Sequence, residues 1–248
     1  MVLWIIFPIF IFALSFIGTW TVYGLALANN HVFSLSDWNS SNYCGWNRTN
    51  GCLLVPTISS SGSNAPESSL FSATINLGSF LFLLFSVFHH AHIMEKHMCH
   101  SMLSKFALTF GVVASMGGFA AANCNPLFLQ LVHNLGAAVC FMCICFYTAL
   151  LTLLTRKCVL TGYEKILYPV RISFTVIQAI ATICYTVLFG QEKYFYVHLS
   201  AIFEWMLFVN LELFQLSYAV EFCFFSSFMI SNLLNKRGEE KPLMMTMS

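Results

Sequence analysis

The stretch from Phe106 to Thr155, FALTFGVVASMGGFAAANCNPLFLQLVHNLGAAVCFMCICFYTALLTLLT, runs fifty residues without an Asp, Glu, Lys or Arg. Crossing a hydrocarbon core of about 30 Å takes about 20 apolar residues, so this run is long enough to cross twice. The polar cluster Asn123, Cys124, Asn125, Pro126 and Gln130 divides it. Backbone polar groups find no water inside a bilayer, so each half must close its hydrogen bonds as a helix. The stretch therefore reads as a tight membrane hairpin of two helices, broken at the Asn-Cys-Asn-Pro turn.

The same criterion applied outward finds four more runs. With the hairpin they give six expected spans: Leu3 to Ala28, Ser69 to Ala91, Lys105 to Ala122, Leu131 to Thr155, Val170 to Phe189, and Tyr196 to Phe222. Composition agrees, with 58% hydrophobic and 8% charged residues against about 25% charged in an ordinary soluble domain. Mean hydropathy is +0.75. The expected fold class is all-α, a polytopic membrane protein of six transmembrane helices forming one domain over residues 1–225. Residues 29–67 make an outer loop, and residues 226–248 make a polar, Met-rich, disordered tail. A net charge of +1 supplies no basic face for phosphates, so no nucleic-acid partner is expected. Ala26-Leu27-Ala28 resembles a signal-peptide cleavage site. The preceding apolar run, however, lacks a positive n-region and exceeds the usual h-region, so it reads as a span.

Basic residues orient the bundle. With both termini cytosolic, Lys96, Lys105, Arg156, Lys157, Lys165, Arg171, Lys236, Arg237 and Lys241 fall inside, while Arg48 and Lys193 fall outside. The sequons at Asn39 and Asn47 lie in the outer loop, where glycosylation occurs. Cys44 and Cys52 sit in the same loop and can close a disulfide in an oxidising lumen, with Cys124 a third candidate. Cys140, Cys143 and Cys145 read as packing residues. The histidines His89, His90, His92, His97 and His100 fit no closed ligand pattern, so neither a metal nor a cofactor is expected.

An ionisable side chain at membrane depth is costly and normally faces a protein interior or a wet cavity, which singles out Glu204. On the six-span topology Glu67, Asn76, Asn123, His133 and His198 join it toward the lumenal side as a polar network. Three readings compete for that network: hydrogen-bonded helix glue; a ligand, lipid-headgroup or proton site; and, least favoured, catalysis. Glu212 lies about 80° from Glu204 around the helix and Glu221 nearly opposite Glu212, so the three carboxylates form no proton wire along one stripe. No catalytic motif is present, and the protein reads as non-enzymatic.

Several short runs also carry a family resemblance. They are Gly18-Thr19-Trp20-Thr21-Val22-Tyr23, then Ala65-Pro66-Glu67-Ser68 with Phe71-Ser72 and Asn76, and His133-Asn134-Leu135-Gly136-Ala137. His198 with Ala201, Glu204 and Trp205 follows, and Glu221-Phe222 ends the series. In this order they resemble the damage-regulated autophagy modulators and their six-span relatives in the Frag/DRAM/Sfk group. Ala122-Asn123-Cys124-Asn125 stands where relatives carry Gly-Asn-Phe-Gln, and Ala65-Pro66 stands where they carry Pro-Pro, marking a divergent member. The resemblance implies an endosomal, lysosomal or plasma-membrane protein that regulates autophagy or phosphoinositide signalling by recruiting partners. Membrane lipids and cytosolic or membrane proteins are the partners it implies. Relatives that remodel lipid anchors imply, as an alternative, a lipid-handling protein using the His/Glu site. Relatives linked to mechanically activated currents imply a channel-associated subunit.

Overall fold

The computed structural model describes residues 2–39, 41–44, 52–96 and 100–225. After a 3-10 turn at Val2–Ile5, the helices are α1 (Ile6–Ala28), α2 (Ile58–Ser61), α3 (Glu67–Lys96) and α4 (Ser101–Asn123). They continue with α5 (Gln130–Lys157), α6 (Glu164–Phe189), α7 (Tyr194–Leu216) and α8 (Ala219–Phe222). Six of them are long and apolar enough to cross a membrane, counting α7 and α8 together. The described residues hold no strand, only isolated bridges pairing Val32 with Leu54 and Tyr43 with Leu53 in the connection between α1 and α3.

The helices outrun the charge-free windows because a helix does not stop where hydrophobicity does. α3 begins at Glu67 and ends at Lys96, an acid in its first turn and a base in its last, each complementing the helix dipole. α6 begins six residues before the expected Val170. Glu164 there accepts the backbone N–H groups of Leu160, Thr161 and Gly162 at 2.6–3.2 Å, which fixes the turn that enters the helix. Gly162 has φ of +84°, a backbone position that favours glycine. The last expected span is interrupted after Leu216 and resumes at Ala219 as α8.

Each long helix packs on its neighbour in sequence, and α7 returns to α1, so the six close a ring. One end of the bundle carries the α1–α3 connection, the Cys124–Leu129 turn and the α6–α7 turn, and is called here the loop end. The opposite end gathers Trp4, Phe88, His92 and Phe225 into ring contacts and is called the tail end. The expected hairpin is the tightest pair. A Cβ built on Gly117 would lie 2.6 Å from the Gly136 carbonyl and 2.8 Å from the Cys140 nitrogen, so the α4 and α5 backbones touch. Small residues allow this approach where no hydrophobic effect drives helices together.

Packing differs between the two ends. Toward the tail end the interior is solid, with Phe85, Phe214, Tyr218 and Phe222 fully buried and Phe85 against Phe222 at 5.3 Å. Toward the loop end it leaves a cavity between the helices.

Candidate functional site

The cavity has a volume of about 170 Å³ and is lined from all six long helices and α2. α7 supplies its most polar wall. Glu204, Leu207, Phe208, Leu211, Glu212 and Gln215 all face it, following the i, i+3, i+4 spacing of one helix face. An 80° offset fits within such a face, so Glu204 and Glu212 meet the same space, while Glu221 lies beyond the helix break and does not line it.

Both carboxylates are buried, at 5% and 4% exposure. The Glu204 carboxyl faces the backbone N–H groups of Ile58 and Ser59 at the start of α2, and Glu212 faces the Ser15 hydroxyl. Oε2 of each has no hydrogen-bond partner among the described residues. Nor do Gln178 Nε2 and Gln215 Oε1, whose side chains border the same space. Gln178 is positioned from its other end, where its Oε1 accepts from Asn210 Nδ2 at 2.6 Å. Buried polar atoms without partners are scarce in folded proteins, and four around one cavity mark a place where something else satisfies them.

The other residues singled out in the sequence distribute as follows. His133 also lines the cavity, but its Nδ1 is committed to the carbonyls of Ala121 and Cys124 at 2.8 and 2.9 Å, closing the end of α4. Asn76 and Asn123 bind each other reciprocally at 3.1 and 2.8 Å. Glu67 Oε1 accepts from Asn29 at 2.7 Å and from His31 at 3.0 Å, tying the entry of α3 to the end of α1. His198 reaches the Leu35 carbonyl and the Tyr194 hydroxyl, both at 3.1 Å, and lies 4.4 Å from the Trp38 ring. Glu204 and His133 are thus brought to one cavity and Asn76 to Asn123. Glu67 and His198 hold the outer loop instead. Cys44 and Cys52 form a disulfide, and Cys124 is unbonded. Asn39 is exposed. Asn47, His97 and the tail over residues 226–248 lie outside the described residues.

Sequence reasoning missed a second polar centre, at the tail end. Arg171 is fully buried and donates to Glu221 Oε1, to Thr155 Oγ1 at 2.7 Å and to the Ser217 carbonyl at 3.0 Å. Its guanidinium lies 3.4 Å from the Tyr218 ring centre. His89 Nε2 donates to the second oxygen of Glu221 at 3.2 Å. The break between α7 and α8 is what frees the Ser217 carbonyl for Arg171. The available signal was a basic residue two positions after Pro169, inside an apolar run, in a chain whose last span carries an unmatched acid. Counting Arg171 only as an orientation charge hid it.

The family model described as Frag1/DRAM/Sfk1/Cwh43P N-terminal domain matches residues 3–224. Transmembrane protein 150A of Xenopus laevis is 30% identical over 227 residues, covering 88% of this chain and 83% of its own. Transmembrane protein 150A of Homo sapiens is 29% identical over 231 residues, covering 90% and 84%. A Xenopus laevis protein named modulator of macroautophagy TMEM150B-A is 26% identical over 219 residues, covering 88% and 86%. No solved structure matches. With the match running from the first span to the end of the last, the chain is an integral membrane protein and belongs to the Frag1/DRAM/Sfk1/Cwh43P family.

Proposed function

We propose that this protein is a non-enzymatic, multi-pass regulator of macroautophagy. The observation that carries the reading is family membership together with near full-length similarity to a relative named as a macroautophagy modulator. The finer reading is that it acts by recruiting partners and influences phosphoinositide signalling from endosomal, lysosomal or plasma membranes. Support for a regulatory rather than catalytic role comes from the polar centres themselves. In the tail-end cluster Arg171, His89 and Glu221 are paired with one another inside the bundle, as in a structural ion cluster that fixes helix packing. At the loop end His133 and His198 bind backbone carbonyls, and Glu67 binds the Asn29 and His31 side chains, so all three hold structure in place.

Overexpression of the tagged full chain tests this reading. Autophagosome turnover, measured with and without lysosomal inhibition in fed and starved cells, is expected to shift at least twofold, with the tag on endosomal, lysosomal or plasma membranes. Unchanged turnover with the protein correctly inserted counts against the reading.

A further inference from the structure

We propose that the central cavity is a binding site for a small amine on an apolar body, its ammonium seated on Glu204. Of the four buried acids among the described residues, Glu67 meets His31 and Glu221 meets Arg171 and His89. Glu204 and Glu212 meet no Lys, Arg or His among the described residues, and no Lys or Arg lines the cavity. A carboxylate pair in a mainly apolar chamber, with Gln178, Gln215 and the carbonyl-bound His133 among its polar neighbours, rejects anions and is completed by a cation that brings its own hydrogen-bond donors.

The walls set the rest of the ligand. Phe71, Phe82, Ile144, Leu207 and Phe208 surround the space between the two acids, which are eight residues apart, about 12 Å along the helix. At about 170 Å³ the chamber slightly exceeds the roughly 150 Å³ apolar cavity that accommodates benzene. It therefore takes one ring or a short alkyl chain. A second cavity of about 140 Å³ lies toward the loop end and shares Ser59 and Asn134 with the first, which makes the loop end the route of entry in this proposal. That antechamber presents the neutral polar side chains Thr57, Ser60, Gln130 and Gln191. Glu204 stands at the junction, against the α2 residue Ser59 common to both. Glu212 and Ser15 lie deeper in the bundle, and Ile11 and Gln215 line the space one turn beyond them.

The test uses the full chain in phosphatidylcholine nanodiscs, with empty nanodiscs subtracted, and calorimetric titration of three probes of one shape: 2-phenylethylamine, 2-phenylethanol and 3-phenylpropanoate. Saturable binding of the amine is expected, with the alcohol at least about tenfold weaker and the carboxylate silent. Glu204→Gln is expected to weaken the amine roughly thirtyfold or more, as loss of one partner of a buried charge pair does. Ala137→Phe, which fills the chamber and leaves both acids in place, is expected to abolish binding and keeps the test valid if Glu204→Gln does not fold. No saturable amine binding, equal binding of amine and alcohol, or wild-type amine affinity in a folded variant overturns the site. None of these outcomes bears on the autophagy reading, which is measured separately.

Discussion

Glu204 and Glu221 are both buried glutamates near the end of the chain, and their surroundings give them opposite roles. Glu221 is enclosed by Arg171, His89 and a tyrosine ring, so removing its charge strands a fully buried guanidinium. Breaking a buried pair from one side costs about 3–5 kcal/mol. Glu221→Gln is therefore expected to lower stability by about that amount, and Arg171→Met by a similar amount, in thermal or denaturant unfolding of the purified protein in detergent. Glu204 has no such partner, and Glu204→Gln is expected to cost less than about 1 kcal/mol in the same assay, since a neutral amide is cheaper to bury than an unpaired charge. A larger loss at position 204 than at 221 would reverse this assignment. At this scale the sequence was half legible. That Glu204 is a special carboxylate follows from its depth in an apolar run. That Arg171 and Glu221 find each other does not, because they are fifty residues apart and the pairing depends on how the ring closes.

Among the elements, the α4–α5 hairpin was the most readable. Its fifty charge-free residues demanded two helices, and the polar cluster from Asn123 to Gln130 marked the turn between them, while the close backbone approach emerged only from the packing. Gly136 sits where an added side chain meets the α4 backbone, with Gly117 O and Ala121 N both 2.9 Å from a built Cβ. Gly136→Val is expected to force the helices apart and to destabilise by about 1–3 kcal/mol, the usual range for overpacking, with lower yield of monodisperse protein on size-exclusion chromatography. Gly190→Ala is the control, since nothing lies within 4 Å of a Cβ there. The outer loop was less readable. Cysteine spacing pointed to a loop disulfide. Nothing in the pattern indicated that Trp205 Nε1 would hold the Pro56 carbonyl at 2.8 Å, or that Leu35 N–H would donate to the Tyr23 hydroxyl at 2.9 Å. These contacts seat the loop on the bundle and carry α2 to Glu204. The first joins residues 149 apart and the second runs from α1 into irregular loop, so no local periodicity encodes them. The α7–α8 break was also unreadable, because Ser217 and Tyr218 are ordinary helix residues and the interruption is held by Arg171 from another helix.

The whole molecule is a ring whose loop-end half surrounds a carboxylate-lined space and whose tail-end half is sealed by aromatic packing and one ion cluster. Six spans and their order were legible from hydropathy alone, since the bilayer sets span length. The cavity was not, because a space between helices is a property of how six surfaces fail to meet. We propose that the loop end faces the lumen or cell exterior. Asn39 is then expected to carry an N-linked glycan, seen as a mobility shift on endoglycosidase treatment that Asn39→Gln reduces and the double substitution with Asn47→Gln abolishes. A glycan-free wild-type protein in a secretory-pathway membrane would place that loop on the other side. The functional claim is tested most directly by loss and restoration: autophagic degradation of long-lived proteins, measured during starvation in cells lacking this chain and after its re-expression at native level. Degradation is expected to change at least about twofold on loss and to return with the wild-type chain; equal degradation in all three conditions would contradict a role as an autophagy regulator.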